Sequence, residues 1–243
     1  VNGLALFAGA GGLDLGIHLA FPSARTVCYV EREAFAAAIL VNQMEKGGLA
    51  PAPIWSDVTT FDGIRWRGKV DFISAGFPCQ PFSQASVPKY RSLGLKMGFE
   101  HKTQGNLFHD ICKILKYHRP KAFILENVKH LKGHDGGKTW EIIEQTLREL
   151  DYTIYYDVID ARKVVPQHRE RVFIVGFTDE IKFEWPEIKD QKPILSNILN
   201  PHRARDRYTL TDGVWRALKR HSKRHKSKGH GFGYSIADRN SVS

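Results

Sequence analysis

The stretch Leu4-Ala5-Leu6-Phe7-Ala8-Gly9-Ala10-Gly11-Gly12-Leu13 decides the fold. Its apolar run stops at a cluster of glycines. Leu13, Leu15, Ile17 and Leu19-Ala20-Phe21 then follow in an amphipathic pattern before Pro22. A short apolar run bounded by glycine predicts a buried strand, and the spacing after it predicts a helix. The unit is therefore strand, glycine turn, helix. Outward from it, Thr26–Val30 predicts a second strand ending at Glu31, and Ala34–Met44 a helix rich in Ala and Leu. Val70–Ala75 reads as a strand. Leu107–Tyr117 carries Leu107, Phe108, Ile111, Cys112 and Leu115 at helical spacing. Pro120 precedes the strand Ala122–Leu125, Trp140–Leu150 reads as a helix, and Tyr152–Ile159 and Val172–Gly176 read as strands. Strands alternating with helices predict an α/β fold with a mainly parallel sheet and helices on both faces. Ligands of such folds sit at the carboxyl ends of the strands. Gly9–Gly12, Glu31, Asp57, Cys79 and Glu126 all follow predicted strands, so independent candidates converge on one sheet edge.

A length of 243 residues fits one domain, or one domain plus an appendage. The expected division is an α/β body over residues 1–200 and a basic segment over 201–243. The chain is 42% apolar and 26% charged, ordinary for a globular protein, and no apolar run is long enough to span a membrane. Val1–Phe7 lacks the basic region of a secretion signal. Cys28, Cys79 and Cys112 are odd in number and widely spaced, which is neither a disulfide framework nor a zinc pattern. The expectation is a reducing, cytoplasmic compartment and no metal site.

Of the formal net charge of +10, most lies in residues 202–228, where ten Lys and Arg face only Asp206 and Asp212. His202, His221 and His225 lie there too. The segment is either a solvated helix face or tail, or a contact for the phosphates of a nucleic acid.

Gly76-Phe77-Pro78-Cys79-Gln80-Pro81 places one cysteine in a turn after a strand, with Pro78 and Pro81 restricting the backbone on either side. A lone cysteine is most simply a small buried apolar group, but one in this position can also serve as a thiolate nucleophile. Gly9-Ala10-Gly11-Gly12 lets backbone approach a ligand, although no Gly-Lys-Ser/Thr follows to make a phosphate loop. Glu31 at a strand end suits ribose hydroxyls, or is a surface carboxylate. Glu126-Asn127-Val128 puts a carboxylate at another strand end. In Gln167-His168-Arg169-Glu170-Arg171, Arg169 and Arg171 share one side of an extended chain, as a salt-bridge ladder or as an anion-recognising pair.

Taken in order, Leu6–Leu13, Gly76–Ser83, Glu126–Val128 and Gln167–Arg171 resemble four motifs of the DNA cytosine-5 methyltransferases, across residues 3–178. Asp135–Thr139 and Gly229–Tyr234 resemble bacterial restriction-modification and Dcm-like members. The resemblance implies a Rossmann-like, S-adenosylmethionine-dependent methyltransferase fold. It implies Cys79 as nucleophile, Glu126 as the acid at the cytosine ring, Arg171 at the cytosine oxygen and Arg169 in support. Phe7, Gly9, Gly11, Gly12, Leu13, Glu31, Arg32, Asp57, Val58, Gly76, Phe77, Pro78 and Leu107 match cofactor-pocket positions. Gln80, Ser83 and Asn127 match substrate positions, and residues 84–106 match a mobile catalytic loop. Duplex DNA with a flipped-out cytosine is the implied substrate, in a nucleoid-associated bacterial protein.

The family pattern continues with a target-recognition region and a helix that completes the cofactor pocket. Neither has a counterpart in these 243 residues, so the resemblance implies a second polypeptide or C-terminal part that supplies them. An RNA (tRNA) cytosine-5 methyltransferase and a catalytically silent DNA-binding homologue are the alternatives. A nicotinamide oxidoreductase fits the glycine turn and Glu31 but leaves the Pro-Cys-Gln run without a role.

Overall fold

The computed structural model describes residues 1–78, 107–199, 209–229, 234, 236 and 238–240. Among them are seven strands of one sheet: β1 (Asn2–Leu6), β2 (Arg25–Val30), β3 (Ile54–Trp55), β4 (Phe72–Gly76), β5 (Ala122–Val128), β6 (Thr153–Asp160) and β7 (Glu170–Phe177). The helices are α1 (Gly12–Ala20), α2 (Ala34–Glu45), α3 (Leu107–His118), α4 (Lys138–Glu149) and α5 (Asp212–Lys226). The strand order is β3-β2-β1-β4-β5-β7-β6. Strands β1 to β5 pair in parallel, and β7 pairs with β5 antiparallel. The expected parallel sheet thus ends in an antiparallel insertion.

Order reverses at β1 and β4. Right-handed crossovers from β1 to β2 to β3 set α1 and α2 on one face, and the return to β4 and the step to β5 set α3 on the other. Burial agrees. On one face Leu4, Leu6, Ile73, Ala75, Phe123, Leu125 and Ile174 form a single core with Ile111 and Leu115 of α3 and Ile143 and Leu147 of α4. On the other, Ala5 and Tyr29 pack with Leu40 of α2 and with Leu49. Cys28 and Cys112 are free, buried thiols, and burial pushes their pKa values up to about 11 and about 12.

The first turn explains its glycines unequally. Gly11 caps α1 in the left-handed region, at φ 80°. A Cβ there would stand 2.5 Å from Leu49 Cδ1 and 3.0 Å from Leu40 Cδ2. Glycine at 11 is therefore required both by backbone and by the packing of the α2 side. Asp14, in the first turn of α1, is 2% exposed. Its carboxylate accepts from Ser74 Oγ at 2.9 Å and Thr26 Oγ1 at 3.5 Å. Burial outweighs those bonds and raises its pKa to about 6.

Packing divides the chain into two compact units, one of residues 1–159 with 170–186, the other of 160–169 with 187–243. In the second unit, Asp160 accepts from the backbone N–H groups of Arg162 and Arg169 and meets His168 Nδ1 at 2.8 Å. The same unit contains α5, whose first turn is capped by the Thr211 hydroxyl.

Candidate active site

At the carboxyl ends of β1, β2 and β4 the first unit opens into a cleft of about 780 Å³. Phe7, Gly9, Glu31, Arg32, Asp57, Val58, Gly76, Pro78 and Leu107 all line it, and so do Val30, Glu33, Ala36, Ser56 and Thr59. This is the size of a nucleoside-scale pocket, at the switch point where such folds bind ligands.

Glu31 and Asp57 are each held by short hydrogen bonds. Glu31 Oε2 accepts the Gly9 N–H at 2.6 Å, and Oε1 accepts the Glu33 N–H at 2.7 Å. The carboxylate is thereby fixed across the mouth of the glycine turn, and each oxygen keeps lone-pair capacity for a ligand hydroxyl. Asp57 accepts the backbone N–H and the hydroxyl of Thr59 at 2.9 and 2.8 Å. These bonds, with Arg32 nearby adding to them, hold its pKa below the usual carboxylate value. Gly9 has φ 56°, and a Cβ built there would meet nothing within 4 Å. The turn is consequently open on the side where a ligand would approach.

The remaining glycine-turn positions lie elsewhere. Gly11, Gly12, Leu13 and Phe77 do not line the cleft. Gly12 opens α1, Leu13 follows it on that helix, and Phe77 is buried with its ring centroid 5.9 Å from that of Phe108.

At the end of β5, Glu126 Oε1 lies 3.0 Å from Arg171 Nε, both side chains about one-quarter exposed. The antiparallel register causes this: Val128 pairs with Arg171 and Glu126 with Phe173, so Glu126 and Arg171 are diagonal neighbours on one face. Arg171 also donates to the Glu170 carbonyl, whose carboxylate binds Lys129 Nζ at 2.7 Å. Gly76 pairs with Glu126 across the sheet, and a Cβ at Gly76 would stand 3.8 Å from Glu126 Oε2. The cleft and the carboxylate–guanidinium pair therefore meet at Gly76.

Asn127 is buried. Its Nδ2 donates to the Phe77 carbonyl at 3.3 Å, and its Oδ1 accepts the Val128 N–H. It ties the backbone at Phe77 to the end of β5. Arg169 is exposed and lies in the second unit. Cys79, Gln80, Ser83 and the loop 84–106 lie outside the described residues. Among the described residues no cluster of three or more His, Cys, Asp or Glu is arranged to hold a metal ion, and no helix is long and apolar enough to cross a membrane.

Sequence reasoning missed Glu33, Thr59 and Ser56. Glu33 and Thr59 act through groups that carry no motif signal, a backbone N–H and a hydroxyl two residues from each acid. An Asp-x-Thr turn preference was the one available clue at Thr59.

Comparison with known proteins then fixes the lineage. The whole chain, residues 1–243, matches the C-5 cytosine-specific DNA methylase family. It is 39% identical over 233 residues to type II methyltransferase M.NlaX of Neisseria lactamica, covering 95% of this chain and 69% of that protein. It is 43% identical over 183 residues to the DNA-cytosine methyltransferase of Escherichia coli K12, covering 68% and 39%. Type II methyltransferase M1.ScrFI of Lactococcus lactis subsp. cremoris is 38% identical, with 97% and 58% covered. The chain thus spans between about two-fifths and two-thirds of these relatives' lengths. In fold it is similar to Schizosaccharomyces pombe Dnmt2, with a TM-score of 0.68 at 18% identity over 100% of this chain and 69% of that one. On the sequence match along its full length, this chain belongs to the C-5 cytosine-specific DNA methylase family.

Proposed function

We propose that these residues are the catalytic portion of a DNA cytosine-5 methyltransferase that uses S-adenosylmethionine. The observation that carries the reading is the junction at Gly76, where the cleft meets the Glu126–Arg171 pair. The cleft's donor set suits the cofactor: Glu31 for ribose hydroxyls, Asp57 and Arg32 for the adenine side, and the open Gly9 turn for close backbone approach. When bound, S-adenosylmethionine supplies an electrophilic methyl group on a sulfonium.

The chain's own residues supply the rest. The Cys79 thiolate adds to carbon 6 of the cytosine, forming a carbon–sulfur bond and moving the ring electron pair toward carbon 5. Glu126 binds ring nitrogen 3 and the exocyclic amino group, offsetting the charge that this addition creates. Arg171 orients Glu126 and holds the cytosine oxygen. The thiolate addition makes carbon 5 nucleophilic toward the methyl that the cofactor would supply, its sulfonium–methyl bond breaking to leave S-adenosylhomocysteine; the carbon 5 proton then leaves to a base as the carbon 6–sulfur bond breaks and returns the thiolate. The base reaches this site flipped out of the duplex, as DNA methyltransferases require. Arg169, Gln80 and Ser83 are assigned to the surrounding phosphate and base contacts. Asn127 holds the Phe77 turn and so the approach to Cys79. Target recognition is assigned to sequence beyond these 243 residues, continuous with them or on a second polypeptide.

The test is transfer of labelled methyl to duplex DNA and to tRNA, by the chain alone and with its C-terminal complement. DNA-dependent transfer is expected once the complement is added. Cys79→Ser should abolish transfer and leave S-adenosylmethionine affinity near that of the wild type, because a hydroxyl is far less nucleophilic than a thiolate. Turnover retained in that variant would sink the covalent mechanism. Transfer to tRNA alone would move the substrate to RNA, and cofactor binding without any transfer would make this a silent homologue.

A further inference from the structure

The edge of the first unit that lies opposite the cleft carries a different kind of surface. Arg65, Arg67 and Lys69 lie in the loop before β4, and Lys116, Arg119 and Lys121 at the end of α3 and in the turn into β5; all six side chains are exposed. Residues 63–70 and 114–121 contain no acid, and outside these segments and residues 202–228 the chain is net acidic. The fold joins the two segments. Arg67 Cζ lies 5.0 Å from the Tyr117 ring centroid, and the Phe61 ring is 5.5 Å from Trp66 and 6.4 Å from His118. Gly63 sits so close to His118 that a Cβ there would collide with the imidazole, and Phe72 pairs with Ala122 across the sheet. Little of this charge is neutralised. Among the described residues, Arg65, Arg67, Lys69, Lys116 and Lys121 form no ion pair, whereas Lys113, Lys129, Arg148 and Lys182 each hold a carboxylate at 2.7–2.9 Å. Asp62 and Asp71 border the patch with carboxylates that accept the Ile64 and Asn2 backbone N–H groups, and Asp151 lies 3.9 Å from Arg119. The dipole of α3 accounts for cations in its last turn, but not for three more on a loop of another element.

We propose that this surface binds the phosphate backbone of a second DNA duplex, separate from the one that reaches the cleft edge. Five unneutralised cations on one exposed surface attract a polyanion. Arg67, restrained over Tyr117, loses less freedom than an unrestrained side chain when its guanidinium meets a phosphate. The patch lies at the amino ends of β4 and β5 and the cleft at the carboxyl end of β4, about 17 Å away along that five-residue strand. A straight duplex engaged at one edge does not reach the other. The inference rests on the reading that the chain acts on DNA. It adds a grip on a further segment of that polymer, which lets the protein pass between segments without full release.

The experiment mixes a short fluorescent duplex, at low salt, with the 243-residue chain and with its Arg65→Gln/Lys69→Gln/Lys116→Gln/Lys121→Gln variant. Arg67 and Arg119 are kept, because one stacks on Tyr117 and the other donates to the Leu150 and Asp151 carbonyls. The four replaced side chains are exposed, so the variant should fold, and an unchanged thermal unfolding curve checks this. By sedimentation the wild type should bind two duplexes per chain and the variant one, with affinity for the second at least tenfold lower. One duplex on both proteins, or two on both with equal affinity, overturns the proposal and leaves a solvated face. Poly-glutamate that displaces the second duplex at a lower charge concentration than unlabelled DNA overturns it too, and would give the surface to an acidic protein. The readout is binding rather than methyl transfer. Transfer by a chain that holds a single duplex counts against this proposal alone, and two bound duplexes without transfer count against the catalytic reading alone.

Discussion

Asp14 sits in a conflict between solvation and packing. Its carboxylate is buried against Ser74 and Thr26, and the folded state holds the proton more tightly than the unfolded chain does, up to about pH 6. Between pH 4 and 6 the native protein binds more protons than the unfolded one, so this group's contribution to stability falls as pH rises through that window. Asp14→Asn keeps an acceptor for both hydroxyls and removes the charge. The variant should match the wild type near pH 3–4 and exceed its stability above pH 6, by up to about 3 kcal/mol from the two-unit shift. Urea melts of both proteins across that range check this; a constant difference at all pH values would mean that Asp14 is not titrating in the fold. Of this residue, the sequence shows only an acid in the first turn of a helix, a favourable place for one. Its burial depends on Ser74, a strand away.

Among the elements, α1 to α4 and the strands were largely legible, because each apolar run or helical spacing is local. Most ends moved by one or two residues, as helix and strand ends usually do, while β5 runs three residues further, to Val128, and the two-residue β3 was not read. The position of β7 was not legible. Its pairing with β5, ahead of β6, is a long-range choice that no local pattern encodes, and it is what brings Arg171 to Glu126. The bond from Asn127 to Phe77 is hidden for the same reason. Helix α5 runs from Asp212 to Lys226 with no buried residue, and Trp215 packs on Tyr234 at 4.7 Å between ring centroids. Its last turn is wholly basic, Lys223-Arg224-His225-Lys226, which suits the negative end of the helix dipole. Replacing Lys219, Arg220, Lys223 and Arg224 with Gln should therefore leave the helix standing but cut DNA affinity. If all four meet phosphates, the slope of log affinity against log salt should fall by up to about 3–4. Fluorescence anisotropy at several salt concentrations gives the slope, and an unchanged value would make α5 a solvated face.

For the molecule as a whole, the edge where function gathers could be read from sequence, since Gly9, Glu31, Asp57 and Gly76 all lie at or just past strand ends and all line one cleft. The exposure of apolar residues on α1 and α2, Leu19 and Phe35 among them, could not, because an apolar helix reads as a core helix until its surroundings are known. The two buried cysteines have a practical corollary. Cys28 and Cys112 are walled in and hold their protons far above neutrality. A thiol-directed alkylating reagent at pH 7.5 should therefore leave them untouched in the native protein. With three cysteines in the chain, one equivalent should be taken up before unfolding and three afterwards, and peptide mapping should place the first on Cys79. Early label on Cys28 or Cys112 would contradict this. If it holds, the wild-type chain already carries a single-site chemical reporter, and a fluorophore or crosslinker can be attached there without first engineering the other thiols away.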